Sequence, residues 1–310
     1  MNQVLDPAGP GAREAARLWW LMLGAGGTIY LVVIGVLLIA VLRRRRTDDN
    51  PISDLITTRW SLLGGAVLPA VVLSGLFLVV LRSLGAGASD PRPGELVVEI
   101  TGRQWWWEIR YRVGASSEPL ISANELHIPA GRRIAIRLTS ADVIHSFWVP
   151  RLQGKTDLVP GMTTVSWIEA DTAGVYDGRC AEYCGLQHAR MALLVVAHDP
   201  EEFARWLARE RRPGTEAADS LAERGRTVFL GKCASCHTVR GIEANGRAGP
   251  DLTHVASRFS LAAGTLRNNL ASLGGWIVSA QHLKPGSGMP NVPLTAEHFR
   301  SLLHYLQTLK

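Results

Sequence analysis

The sequence predicts a multi-domain membrane protein: a two-helix transmembrane hairpin, then a β-sandwich, then an all-α C-terminal domain. Three observations carry that prediction. Two apolar runs near the N-terminus hold no charged residue, the middle of the chain alternates with a period of two, and helical spacing returns from about Ser220 around a cysteine–histidine cluster. With 310 residues, 47% hydrophobic and 19% charged, the chain is apolar for a soluble protein and long enough for two or three modules.

The first run, Leu18 to Leu42, holds 25 residues and the second, Trp60 to Leu81, holds 22. At about 1.5 Å per residue they reach roughly 33–37 Å as helices, enough for a hydrocarbon core of about 30 Å. A secretory leader is the rival for the first run. It is too long for that, and Arg43 to Arg46 follow it in place of a small-residue cleavage site. Five arginines between the runs, against Arg13 and Arg17 before them, place the loop 43–59 in the cytoplasm and both termini outside. Residues 1–17 are then an external tail and 18–82 the hairpin of a multi-pass membrane protein. The net charge of +6 owes much to this loop, and nothing points to nucleic acid.

A Gly/Pro/Ser-rich linker occupies 83–95. The sandwich is expected over 96–198, with strands at 96–100, 105–113, 133–138, 163–170 and 192–197; in the third, Ile134, Ile136 and Leu138 alternate with Arg133, Ala135 and Arg137. Residues 199–218 read as a linker helix ending at Pro213-Gly214, and 219–310 as the helical domain.

That last domain contains "CASCH", Cys233 to His237, the attachment motif for c-type haem. Two thiols add to the haem vinyl groups, and the adjacent His237 is held on the proximal side of the iron. Met289, in the loop "KPGSGMPN", is the candidate sixth ligand; His254 and His282 lack such a loop. A zinc or thioredoxin-like pair is the rival, but no second ligand pair and no βαβ pattern accompany it. The surrounding "GPDLTHVASR" and "LGGWI" resemble class I cytochromes c. The resemblance implies that Pro250 orients His237 through its carbonyl, that Leu252 and Trp276 line the haem pocket, and that helices bearing Gly225, Phe229, Phe299 and Tyr305 cross.

The second cluster is "CAEYCGLQHARM", Cys180 to Met191. Local cysteine pairs closing tiny loops stabilise little as disulfides, so a metal explains them better. One zinc takes four ligands and a blue copper one Cys and two His with a weak Met. Cys180, Cys184, His188, Met191 and the upstream His145 outnumber either need. Two coppers bridged by both thiolates use them all, with a backbone carbonyl completing the set. Such a site passes electrons and performs no bond chemistry.

The pattern C-x-E-x-C-x3-H-x2-M, with upstream "HSFWVP" and K-x-D-x-x-P-G, resembles the dinuclear CuA motif of the cytochrome c oxidase subunit II family, and the fused cytochrome resembles the caa3-type oxidases. The resemblance covers nearly the whole chain and implies a cupredoxin-like sandwich. It implies copper ligation by His145, Cys180, Cys184, His188 and Met191 with the main-chain carbonyl of Glu182. It also implies a magnesium ion shared between the Glu182 carboxylate and the catalytic subunit I, and Trp105 of "TGRQWWW" as the point where electrons enter from a donor cytochrome c. Asp142 is expected in the same region, and Lys155 and Asp157 as structural. Arg103 stands where many relatives have His. Asp54 is the only carboxylate near the start of the second span, where some relatives place a glutamate for a proton pathway. The partners implied are subunit I and other oxidase subunits, a donor cytochrome c or upstream respiratory complex, and the lipid bilayer. Two alternatives stay open: the same module serving a haem–copper nitric oxide reductase, and a copper-handling or thiol-redox protein using Cys180 and Cys184 as a dithiol.

Overall fold

The structure is a computed structural model describing residues 5–43, 54–84, 91–92, 94–112 and 119–310. The arginine run beyond Arg43, Val113 and most of the 83–95 linker lie outside the described residues, as does the side chain of Asp54.

Residues 13–88 form one unit and the remainder another. In the first, helix α1 (Pro10–Leu42) is followed by α2 (Asp54–Leu62) and α3 (Leu68–Leu84), the latter two joined by a π turn at Leu63–Val67. Pro10–Leu42 and Leu55–Arg82 are long and apolar enough to cross a membrane, with mean hydropathies of 2.5 and 2.4 and no buried residue in their apolar windows. Apolar on all sides and uncovered, such helices suit lipid. Both start earlier than the apolar runs. Pro10 suits a first helical position and "AREAAR" is strongly helix-forming, so the helix precedes the hydrophobicity.

In the other unit, two five-stranded sheets face each other. One orders β3 (Leu120–Ala123), β2 (Trp106–Arg112), β1 (Val97–Arg103), β5 (Ile134–Ser140) and β8 (Thr164–Ile168). The other orders β4 (Glu125–Pro129), β10 (Ala192–His198), β9 (Gly174–Cys180), β6 (His145–Trp148) and β7 (Thr156–Leu158). Pairing is antiparallel except for β1 with β5 and β4 with β10. Alternate residues turn inward, so Val98, Ile100, Trp107, Ile109, Ile136, Leu138, Phe147 and Val195 fill one core between the sheets. The five strands expected from alternation are present. β3, β4, β6, β7 and β9 are additional, short or interrupted by polar residues and glycine.

The segment 199–218 does more than link. Its helix α4 (Pro200–Glu210) buries Phe203 and Trp206 on the sandwich, and Trp206 stacks on His127 at a centroid distance of 4.2 Å. Beyond it come α5 (Ser220–Lys232), α6 (Leu270–Leu283) and α7 (Ala296–Thr308), capped by Asp219, Asn269 and Thr295. Helices α5 and α7 cross where Gly225 meets Tyr305: a Cβ at Gly225 would stand 2.0 Å from the Ser301 carbonyl oxygen. Phe229 packs against Tyr305, whereas Phe299 packs on Gly274 of α6.

Candidate metal centre and haem crevice

The strand β9 ends at Cys180 and β10 begins just after Met191, so residues 181–191 form a loop at one end of the sheet. Its base is closed by Cys180 N–H donating to Met191 O at 2.9 Å, and Ala181 N–H ties it to Ser146 O of β6, also at 2.9 Å. Strand β6 starts at His145, which sets that ring beside the loop.

Inside the loop Cys180 Sγ and Cys184 Sγ lie 3.7 Å apart, well beyond the ~2.05 Å of a disulfide. His145 Nδ1 is 3.9 Å from Cys180 Sγ, and His188 Nδ1 is 3.6 Å from Cys184 Sγ. Met191 Sδ stands 3.8 Å from Cys184 Sγ, and the Glu182 carbonyl oxygen 3.2 Å from Cys180 Sγ. A thiolate–metal bond of about 2.3 Å lets one metal touch both sulfurs at this spacing. Two sulfurs flanked by an imidazole each, with a thioether and a carbonyl at the edges, fit a pair of soft, borderline metals such as copper.

The ring of His145 is fixed from behind. Its Nε2 is 2.7 Å from Asp142 Oδ1, which leaves Nδ1 turned to the sulfur, the usual arrangement for a metal-binding histidine. The other Asp142 oxygen accepts the Gln104 N–H at 2.7 Å. Gly102 gives the ring its room: a Cβ there would come 2.7 Å from His145 Cδ2. Burial by itself would lower the pKa of His145; its hydrogen bonds to Cys180 and Asp142 outweigh burial and raise it. The hydrogen bond between the two sulfurs draws the Cys180 pKa down against its own burial, and together with burial holds that of Cys184 up.

In the helical domain one crevice is lined by Cys233, Cys236, His237, Pro250, Leu252, Trp276 and Met289. His237 Nδ1 is 2.8 Å from Pro250 O, so Nε2 is left free. Burial lowers its pKa, favouring the neutral ring an iron needs. Gly249 is required beside it, since a Cβ there would lie 2.5 Å from His237 Cε1. Met289 lines the same crevice, and Gln281 Nε2 donates to its carbonyl at 2.6 Å. His254 is held elsewhere by the carbonyls of Lys310 and Arg212, and His282 is exposed. These residues fit a covalently attached haem.

The two sites meet at Trp105. Its indole N–H donates to Cys184 O at 2.9 Å, and it also lines the crevice of the helical domain. A Cβ at Gly185 of the Cys180–Met191 loop would be 3.2 Å from the ring, and one at Gly286, in the loop before Met289, 3.6 Å. Both glycines have positive φ, +110° and +79°. Lys284, buried at 2% exposure, donates from Nζ to Trp105 O, Arg190 O and Ala262 O at 2.8, 2.8 and 2.9 Å.

Of the other residues singled out in the sequence, Glu182 turns its carboxylate toward Lys155 at 3.8 Å, and Arg103 pairs with Glu108 at 3.2 Å. Gly102, Gln104, Gly249 and Lys284 escaped sequence reasoning. Only Gly249, preceding Pro250, carried a local hint.

The family model for cytochrome c oxidase subunit II, periplasmic domain, matches residues 113–198, and that for cytochrome c matches 222–310. Over 248 residues the chain is 36% identical to cytochrome c oxidase subunit 2 of Alkalihalophilus pseudofirmus, covering 79% of this chain and 69% of that one. The chain belongs to the cytochrome c oxidase subunit 2 family. This subunit is also 30% identical over 264 residues to its Bacillus subtilis relative, covering 79% and 73%. The crystallised periplasmic domain of subunit II from Bradyrhizobium japonicum is 29% identical, covers 37% of this chain and 93% of that one, and superposes at a TM-score of 0.35. The subunit therefore carries the cupredoxin-like sandwich of its family with a fused cytochrome c domain, as in caa3-type oxidases, and is part of an oxidoreductase complex.

Proposed function

We propose that this subunit passes electrons from a donor cytochrome, through a covalent haem c, to a dinuclear CuA centre, and on to the catalytic subunit I that reduces oxygen to water. The observation that carries the reading is that one side chain, Trp105, belongs to both sites. When bound, the haem and the copper pair supply one-electron chemistry with little rearrangement.

The residues do the holding. Cys233 and Cys236 would attach the haem, with His237 and Met289 as axial ligands and Pro250, Leu252 and Trp276 in the pocket wall. His145, Cys180, Cys184, His188, Met191 and the Glu182 carbonyl would hold the coppers. Trp105, in place of receiving a diffusing donor directly, faces the crevice of the tethered cytochrome. A tether keeps that domain near the sandwich at an effective concentration on the order of millimolar.

The hairpin would cross the bacterial inner membrane twice, with both folded domains outside. Glu182 is the carboxylate this chain would offer to a magnesium ion at the contact with subunit I, displacing Lys155. The test is metal and haem quantification on purified subunit beside its EPR spectrum. Two coppers per chain with a mixed-valence signal and one covalent haem are expected. A cystine at Cys180–Cys184, or a single metal, would overturn the proposal.

A further inference from the structure

Lys284 is buried between the two domains, yet its three acceptors are all main-chain carbonyls and none is a carboxylate. A buried ammonium without a counter-charge is costly, and an apolar chain of similar length would remove that cost. Such groups are retained where direction matters more than stability. In the protonated form the three N–H bonds of one tetrahedral nitrogen match three carbonyls from three separate loops, satisfying every donor it has. Arg190 is next to Met191 in the copper loop; Trp105 lies between the sites; Ala262 is in the cytochrome domain; Lys284 itself opens the loop that ends at Met289.

The rest of the seam supplies adhesion without this reach. Ala192 N–H donates to Ala263 O at 3.0 Å and Gln187 Nε2 to Pro285 O at 2.8 Å. Glu125 Oε1 accepts from the N–H groups of Phe259 and Ser260 at 2.7 and 3.0 Å. Thr265 Oγ1 already donates to Ala262 O at 2.8 Å and Arg190 O at 3.4 Å, two of the three carbonyls Lys284 serves. What Lys284 adds is Trp105 O.

We propose that Lys284 is a positioning residue that fixes the register of the cytochrome domain on the sandwich, holding the haem-ligand loop, Trp105 and the copper loop in one order. The inference deepens the electron-transfer reading and rests on it. Lys284 borders the haem crevice, and its three hydrogen bonds all go to main-chain carbonyls, so it acts through the main chain of Trp105.

The experiment uses the full-length subunit carrying Lys284→Met, with Glu125→Ala as a control for adhesion alone. In Lys284→Met the copper and haem spectra are expected to stay those of the wild type, while electron equilibration between haem and copper slows about 10- to 100-fold, the scale on which ångström misplacement acts. In Glu125→Ala the unfolding temperature should fall with much less slowing. Unchanged equilibration in Lys284→Met, or equal slowing in both variants, overturns the proposal. So does an altered copper spectrum, which would make Lys284 part of the copper loop. A wild type lacking either spectrum overturns the electron-transfer reading instead. Hydrogen exchange on metal-free chain then still decides: the Ala192 amide should exchange faster in Lys284→Met, and unchanged protection sinks the register role.

Discussion

The indole N–H of Trp105 donates to the main-chain carbonyl of Cys184 across 2.9 Å, so the aromatic ring is bonded directly to the Cys180–Met191 loop. The same ring borders the haem crevice. Trp105→Phe keeps an aromatic face and loses the bond, worth about 0.5–1.5 kcal/mol. Electron equilibration between the two centres is expected to slow by roughly tenfold as the ring loosens, and more in Trp105→Leu. Stopped-flow absorbance of the haem band measures this; equal rates in all three proteins would exclude Trp105 from the route.

Asp142 joins two things the site needs, the orientation of His145 and the backbone of Gln104 just before Trp105. Partners of this kind typically tune metal affinity by about 10–100-fold. Asp142→Ala is therefore expected to weaken copper binding by that factor with the fold intact, measured by chelator competition. Affinity within twofold of wild type (about 0.4 kcal/mol) would make Asp142 a mere turn residue.

Much of both sites was legible in the sequence because ligands cluster where one loop supplies them. Cys180, Cys184, His188 and Met191 sit within twelve positions, and Cys233, Cys236 and His237 within five. What could not be read comes from contacts between distant segments. Gly102 and Gly249 look like ordinary glycines until the rings of His145 and His237 are set against them. Lys284 reads as a surface lysine beside a proline and is 2% exposed. Strands such as Gly174–Cys180 bury only Tyr176, Gly178 and Cys180, too weak an alternation to see, and β6 is four residues long. Phe203 and Trp206 are spaced three apart, a helical stripe that the reading of 199–218 as a linker left unused and that packs on the sandwich.

The glycine contacts make a paired prediction. Gly249→Ala would bring a Cβ within 2.5 Å of the His237 ring, and Gly102→Ala would bring one within 2.7 Å of the His145 ring. Each ring must tilt or its backbone must shift, at a cost of about 1–3 kcal/mol. Gly249→Ala should lower haem retention and leave copper content unchanged, and Gly102→Ala the reverse. Loss of both cofactors in either variant would show instead that the fold, and not one ring, had given way.

At the α5–α7 crossing the tolerance is smaller still. The obstruction to a Cβ at Gly225 is the backbone carbonyl of Ser301 at 2.0 Å, which has no flexible end to move aside. Gly225→Ala should cost at least about 1–3 kcal/mol, more if the helices separate. Thermal unfolding followed at the haem band should show a clearly lower midpoint, with the sandwich transition unmoved. An unchanged midpoint would mean the helices cross with more room than the contact at Gly225 allows.

Lys284 sets a pH dependence whose sign can be worked out. Burial, reinforced by neighbouring Arg190, pulls its pKa down from the usual 10.5 to about 7 in the folded chain. The unfolded chain therefore binds more protons between those values, and stability rises with pH through that window, by up to about 1.4 kcal/mol per unit. Above 10.5 the contribution is complete; as pH falls through about 7 it is lost. The difference in unfolding free energy between wild type and Lys284→Met should thus shift in favour of the wild type as pH climbs from about 7 toward 10, and lie flat below 7. Chemical denaturation at a series of pH values reads the difference directly. A flat difference across the whole range would place a normal lysine at the seam, its charge reached by water, and with it would go the argument that this side chain is kept for direction at the expense of stability.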